Sequence, residues 1–219
     1  MIKIEKIHTC NWEAAIRSMR NPLNSWDKSD SCFCPYEPDC EAACEMHIGP
    51  NDYKLALQLA KAGSDHGKFL RSIIFSCDIT APMYWWKEMD TYKVGTVRNS
   101  CSTMHTVMKK PFDMSDFSVD QTNVSAQASM HETINALNDL RRIYINGEYS
   151  DEHRKKVWYS IIQLLPSSYN QKATWTGNYA VLRNIYHSRK GHPLSAEWGP
   201  FCAMIEKLPY SELITEVRE

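Results

Sequence analysis

HGKFLRSIIFSCDITAPMYWWKEMDTYKVGTVRNSCSTMH, residues 66–105, is the stretch that decides how this chain reads. A strand-like apolar run, Ile73–Ile79, leads into Ala81-Pro82. Pro82 suits the first turn of a helix, and the aromatic segment Met83–Lys93 reads as that helix. Gly95 to His105 is then polar, built from small and hydrogen-bonding residues. Apolar scaffolding that gives way to Lys, Arg, Asn, Ser, Cys, Thr and His is what a polar ligand pocket needs. Leu164–Trp198 repeats the mixture late in the chain.

Working outward, Ile2–Ile7 alternates weakly and reads as an opening strand. Asn11 is placed to cap a helix through Met19, with Trp12, Ala15, Ile16 and Met19 on its inner face. Asn21–Pro50 carries four prolines and four cysteines and reads as a loop or small insertion. Asp52–Ala62 is helical in pattern, with Leu55, Leu59 and Ala62 on one face and Gly63 ending it. Arg71–Thr80 is β-like, and Pro111–Asn123 is a polar connection. Ser125–Ile145 places Ile134, Leu137, Leu140 and Tyr144 at helical spacing, with Gly147 as its stop. Ser150 or Asp151 caps a further helix through about Leu165, which Pro166 breaks. Gln171–Arg189 and Ser195–Leu208 are predicted as two more. The expectation is an α+β fold: one domain spanning 1–219, with a Cys-rich insertion at about 21–50.

The bulk numbers narrow the function classes. With 219 residues, 43% hydrophobic and 23% charged, the chain is ordinary for a soluble globular protein. A net charge of −1 supplies no basic field for nucleic acid. No apolar run reaches the roughly 18 residues that span a bilayer. MIKIEKIHTC lacks the apolar core of a signal peptide, so a cytoplasmic location is expected, bacterial or, if phage-encoded, in the host. Eight cysteines in such a protein are expected as reduced thiols or metal ligands.

Several constellations can carry chemistry. His66, Lys68 and Arg71 can hold a phosphate. Lys93, Arg98, Asn99, Cys101, Ser102 and His105 lie in the polar segment. Cys101 with His105 invites a thiolate reading, because an adjacent imidazole lowers a thiol pKa. Asn178, Asn184, His187, Arg189 and His192 lie on or just after a predicted helix, and Arg189 suits bidentate binding of a phosphate or a pyrimidine edge. Cys32, Cys34, Cys40 and Cys44, with His47 nearby, are enough in number for zinc. Their spacing does not match paired C-x2-C ribbons, so free thiols and no metal are the adopted reading. Neither G-x-G-x-x-G nor a P-loop is present, nor is H-E-x-x-H.

Taken together, the two segments resemble the flavin-dependent thymidylate synthases. His66, the strand Ile73–Ile79 and Ala81-Pro82 fall in that family's order. So do Leu165-Pro166, Trp175-Thr176, Asn178, Arg189, His192 and Glu197-Trp198, while NWEAAIRSMR looks like its first helix. The resemblance covers most of the chain outside Asn21–Pro50 and Pro111–Asn123. It departs where the family has Arg-His-Arg and then Ser, for this chain has Thr91-Tyr92-Lys93 and then Cys101. Thr103, Ala180 and Ile162 stand where arginines are usual, and Lys68 and Arg71 replace a hydroxyl residue and an acid. Lys68, Arg71, Lys93 and Arg98 are cations that can compensate.

The resemblance implies an antiparallel sheet with packed helices. It also implies a homotetramer and reductive methylation of dUMP to dTMP, using FAD, NADPH and methylenetetrahydrofolate. It implies cofactor contacts from His66, Lys68, Arg71, Lys93, Asn178, Asn184 and His192. Substrate contacts would come from Lys93, Asn99, Cys101, Ser102 and Arg189, with Arg189 and Cys101 nearest the chemistry. The alternatives are a flavoenzyme acting on another pyrimidine nucleotide, with Cys101 as nucleophile, and a non-catalytic binding module in which the cysteines hold zinc.

Overall fold

The computed structural model describes residues 2–33, 47–146 and 149–216. Along the chain run β1 (Lys3–Cys10), α1 (Trp12–Met19), α2 (Pro50–Lys61), β2 (Ile74–Pro82), α3 (Met83–Met89), β3 (Val97–Ser100) and α4 (Thr103–Thr106). Then follow α5 (Val124–Ile145), α6 (Asp151–Leu164), β4 (Asn170–Asn178), α7 (Tyr179–Arg189), α8 (Ser195–Ile205) and α9 (Glu212–Thr215). The strands form one antiparallel sheet in the order β1-β2-β4-β3, so the α+β expectation holds. Among the described residues no helix is long and apolar enough to cross a membrane.

Alternation makes the two central strands. Phe75, Cys77, Ile79 and Ala81 of β2 are buried while the residues between them are half-buried. In β4, Ala173, Trp175 and Gly177 are buried in the same rhythm. This corrects the predicted helix over Gln171–Arg189, whose first half is strand and of which only α7 is helical. Val97–Ser100, inside the segment read only as polar, is the short edge strand β3.

The chain divides into two compact units. The first comprises Met1–Glu5, Asp78–Thr91 and Arg98–Thr174. Its core joins α5 and α6 through Ile134, Leu137, Val157 and Ile161, with Phe112 and Phe117 packed among them. The predicted polar connection 111–123 thus contributes two buried aromatics, because Phe112 is fixed by backbone hydrogen bonds to Asn138. Ser150 caps α6 by accepting from the His153 amide, as expected. Gly147, the predicted stop of α5, lies outside the described residues. The α3 helix ends at Met89, four residues short of expectation, where the Asp90 amide closes on the Trp86 carbonyl.

The second unit comprises Lys6–Cys77, Tyr92–Val97 and Trp175–Glu219. Helix α1 buries Trp12, Ala15, Ile16 and Met19, the predicted face. Asn11 does not cap it through its side chain. It takes a left-handed φ of 67° and donates to the Ser72 carbonyl at 2.8 Å. Helix α2 buries Asp52, Ala56 and Ala60, not the expected Leu55, Leu59 and Ala62. The reason is Asp52, whose carboxylate is drawn fully inside by Arg20 at 2.6 Å. The α2 N-terminus is capped from a distance, because Asp30 accepts from the Asn51 and Asp52 amides. A Cβ on Gly49 would stand 2.3 Å from the Asp30 carbonyl oxygen, so only glycine admits that cap.

Candidate functional site

The second unit gathers most of the predicted site residues. Helix α7 is fixed at its start by Asn178, whose side chain accepts from the Val181 amide at 3.1 Å. The buried Tyr179 anchors the same end, donating to the Pro209 carbonyl at 2.8 Å, and burial pushes its phenol well above the usual range. Gly95 approaches this cap with a φ of +74°, and a Cβ there would lie 3.0 Å from Asn178 Nδ2.

The far end of α7 carries Arg189. Eleven helical residues extend about 16 Å, so Asn178 and Arg189 mark opposite ends of one rigid rod. Arg189 Nε donates to the Tyr92 hydroxyl at 2.9 Å. Its guanidinium lies over the Trp198 ring at 4.8 Å and the Tyr92 ring at 5.5 Å. Nη1 stands 3.0 Å from His192 Nε2, while His192 Nδ1 accepts from the Leu194 amide at 3.1 Å. A neutral imidazole has one acceptor nitrogen, so such a ring accepts from one of these two donors at a time. One turn back, Tyr186 donates to Glu206 at 2.7 Å and accepts from Lys190 at 2.5 Å. That bond from Tyr186 holds the Glu206 carboxyl below its usual range, and the Tyr186 oxygen raises the Lys190 ammonium.

The remaining predicted cations stand apart from this cluster. His66 and Lys68 are exposed on the rim of a groove of about 680 Å³, whose apolar lining includes Met19, Leu55, Leu59 and Phe69. Leu55 and Leu59, read as sharing one face of α2, both line this groove. Arg71 lines a separate, smaller cavity with Ala180. Lys93 is exposed in the turn after α3. Asn184 is exposed on α7.

In the first unit, Asn99 is exposed on β3 and Ser102 is exposed just before α4. The Cys101 amide donates to the Lys172 carbonyl at 2.8 Å, and its carbonyl accepts from Gln171 at 2.9 Å. The Cys101 thiol is exposed and forms no hydrogen bond with His105. Arg98, one of the compensating cations, is already committed. It lies 4.0 Å over Trp86, pairs with Asp90 at 2.5 Å and donates to Gln171.

Of the cysteine cluster only Cys32 is among the described residues, and its backbone pairs with His47. Cys34, Cys40 and Cys44 lie outside them. Among the described residues no group of three or more His, Cys, Asp or Glu is placed to hold a metal.

Sequence reasoning passed over two contributors. Tyr92 registered only as a departure from the family motif. Arg183 was not singled out, although it sits between Leu182 and Ile185 on the inner face of α7, where a charge is out of place.

No family model matches the chain, and no curated protein matches it in sequence. Solved structures share its fold. One is the flavin-dependent thymidylate synthase ThyX of Helicobacter pylori complexed with FAD and dUMP, at a TM-score of 0.69 and 16% identity. That match covers 99% of this chain and 100% of the other. A second Helicobacter pylori structure of that enzyme with FAD and dUMP gives a TM-score of 0.67 and 15% identity, covering 98% of each chain. At these identities the likeness is one of fold.

Proposed function

We propose that this chain is a flavin-dependent enzyme acting on a pyrimidine nucleotide, in the manner of a thymidylate synthase. The observation that carries the reading is the Arg189 cluster. A guanidinium flanked by two aromatic rings and a histidine sets charge-assisted donors beside flat faces. A pyrimidine carbonyl accepts from such donors, and the Tyr92 and Trp198 faces suit a flat ring. The shared fold supports the same reading, since the similar structures hold FAD and dUMP.

The residues present fit a flavin. The groove pairs an apolar wall of Met19, Leu55, Leu59 and Phe69 with the polar groups of Asp65, His66 and Lys68, a surface that suits a large aromatic cofactor. Bound flavin would supply hydride transfer, which no side chain here can provide. In this reading His66, Lys68, Asn178, Asn184 and His192 hold the cofactor, and Arg189 orients and polarises the pyrimidine. Lys93 supplies charge without the bidentate fork of an arginine. Asn99, Cys101 and Ser102 contact the nucleotide. NADPH and methylenetetrahydrofolate are the proposed co-substrates, and a homotetramer is the proposed assembly.

The test is the visible spectrum of the purified protein, before and after addition of FAD. Bound flavin absorbs near about 375 and about 450 nm. Those bands, followed by dUMP-dependent reoxidation of the reduced flavin, are expected. Flavin uptake with indifference to dUMP would point to another pyrimidine. A protein that takes up no FAD overturns the reading and leaves a binding module.

A further inference from the structure

The donors at the start of α7 are unevenly used. The Tyr179 amide donates to the Ile73 carbonyl at 3.1 Å, and the Val181 amide donates to Asn178 Oδ1 at 3.1 Å. The Ala180 amide between them has no acceptor among the described residues. The cap also fixes which way the Asn178 carboxamide points, because the atom facing the Val181 amide must be the oxygen. Nδ2 is then the atom turned toward Gly95, where a Cβ would stand 3.0 Å from it. Asn178 is only 8% exposed, and Nδ2 donates to no group among the described residues. Gly95 meets it with a bare Cα, at a φ of +74°. Glycine serves where a backbone and a ligand must come close. Gly95 and the whole of α7 belong to the second unit.

We propose that the start of α7, with the facing Gly95, is a binding site for one phosphate group, held by Asn178 Nδ2 and the Ala180 amide. First-turn amides point out along the helix axis, and the macrodipole favours an anion at that end. Asn178 adds a side-chain donor whose direction the cap has already set. A buried donor without an acceptor is costly, and a phosphate oxygen is a strong acceptor that relieves it. Lys93, exposed two residues before Gly95, supplies a cation from the same turn. The site stands whether or not the flavin reading holds, because the phosphate can be free or part of a nucleotide.

Calorimetric titration of the full chain with inorganic phosphate tests it, and saturable binding is expected. Asn178→Asp is the main variant. Aspartate caps a helix about as well as asparagine, so the bond to the Val181 amide is kept while the donor becomes a negative oxygen. Phosphate affinity should fall by about tenfold or more, with no loss of thermal stability. Gly95→Ala is the second variant, setting a methyl group against Nδ2, and it should weaken binding as well. Lys155→Glu, an exposed charge reversal on α6, should leave binding unchanged and controls for net charge. No saturable binding by the unmodified chain overturns the site, as does wild-type affinity in both Asn178→Asp and Gly95→Ala. Phosphate that competes with FAD, with both weakened by Asn178→Asp, assigns the group to a nucleotide. Weakening of phosphate alone assigns it to a free anion. If FAD never binds, the flavin reading fails while the phosphate result still decides the site.

Discussion

Asp52 and Arg189 are both charged groups drawn into the second unit, and they are held in opposite ways. Asp52 is wholly buried. One oxygen accepts from Arg20, and the other accepts from the Ser29 and Ser31 hydroxyls and the Asp30 and Ser31 amides. Burial alone would raise its carboxyl, but the Ser29, Ser31 and Arg20 contacts outweigh it and hold the pKa below the ordinary range. That acceptor is saturated, and a ligand has nothing to add. It clamps residues 29–31 to the start of α2, on either side of the cysteine-rich stretch. Arg189 is half-buried against ring faces, a phenol and an imidazole. Polar partners close around Asp52, while aromatic faces flank Arg189, and the proposed function draws on that difference.

The largest expected effect falls on the saturated side. Asp52→Asn breaks a buried ion pair, and guanidinium unfolding should show a loss of about 3–5 kcal/mol. The sign with pH follows from the depressed pKa. The Asp52 contribution is present above the unfolded value near about 3.9 and is lost as pH falls through the lower folded value. Acid unfolding of Asp52→Asn should therefore be flatter below about pH 4 than that of the unmodified protein.

Arg189→Ala should leave unfolding nearly unchanged while weakening dUMP-dependent flavin reoxidation by about 10- to 150-fold, or about 1.5–3 kcal/mol. If it unfolds the protein as Asp52→Asn does, the distinction between the two groups collapses. Tyr92→Phe keeps the ring and removes one hydrogen bond, so about 1 kcal/mol of nucleotide affinity should go, measured by titration. Smallest of all, Cys101→Ser should retain turnover within about twofold, since its thiol has no imidazole partner. Loss of turnover there would restore the nucleophile reading.

How legible these features were depends on the range of the interactions behind them. Trp12, Ala15, Ile16 and Met19 announced α1 because spacing of three and four residues is a local signal. The Ser150 cap and the Pro166 break were legible for the same reason. Strand β4 was misread because Gln171, Lys172, Thr174 and Asn178 dilute the apolar signal, leaving an alternation carried by Ala173, Trp175 and Gly177. The inner face of α2 was misassigned because two leucines outweigh an aspartate on any local scale, while the arginine that draws Asp52 inward lies 32 residues away.

By itself, the sequence determined the α+β class, the helices with clean periodicity and the absence of Rossmann and P-loop phosphate sites. It also nominated Arg189, His192 and the cations from 66 to 71. Tertiary structure alone decided which of those groups meet. Tyr92 reaches Arg189 across 97 positions, and Arg98, an equal candidate by composition, is held by Asp90, Gln171 and Trp86. Hydrogen bonds and ion pairs act over a few ångströms, so partnership between distant residues exists only once the chain has closed on itself.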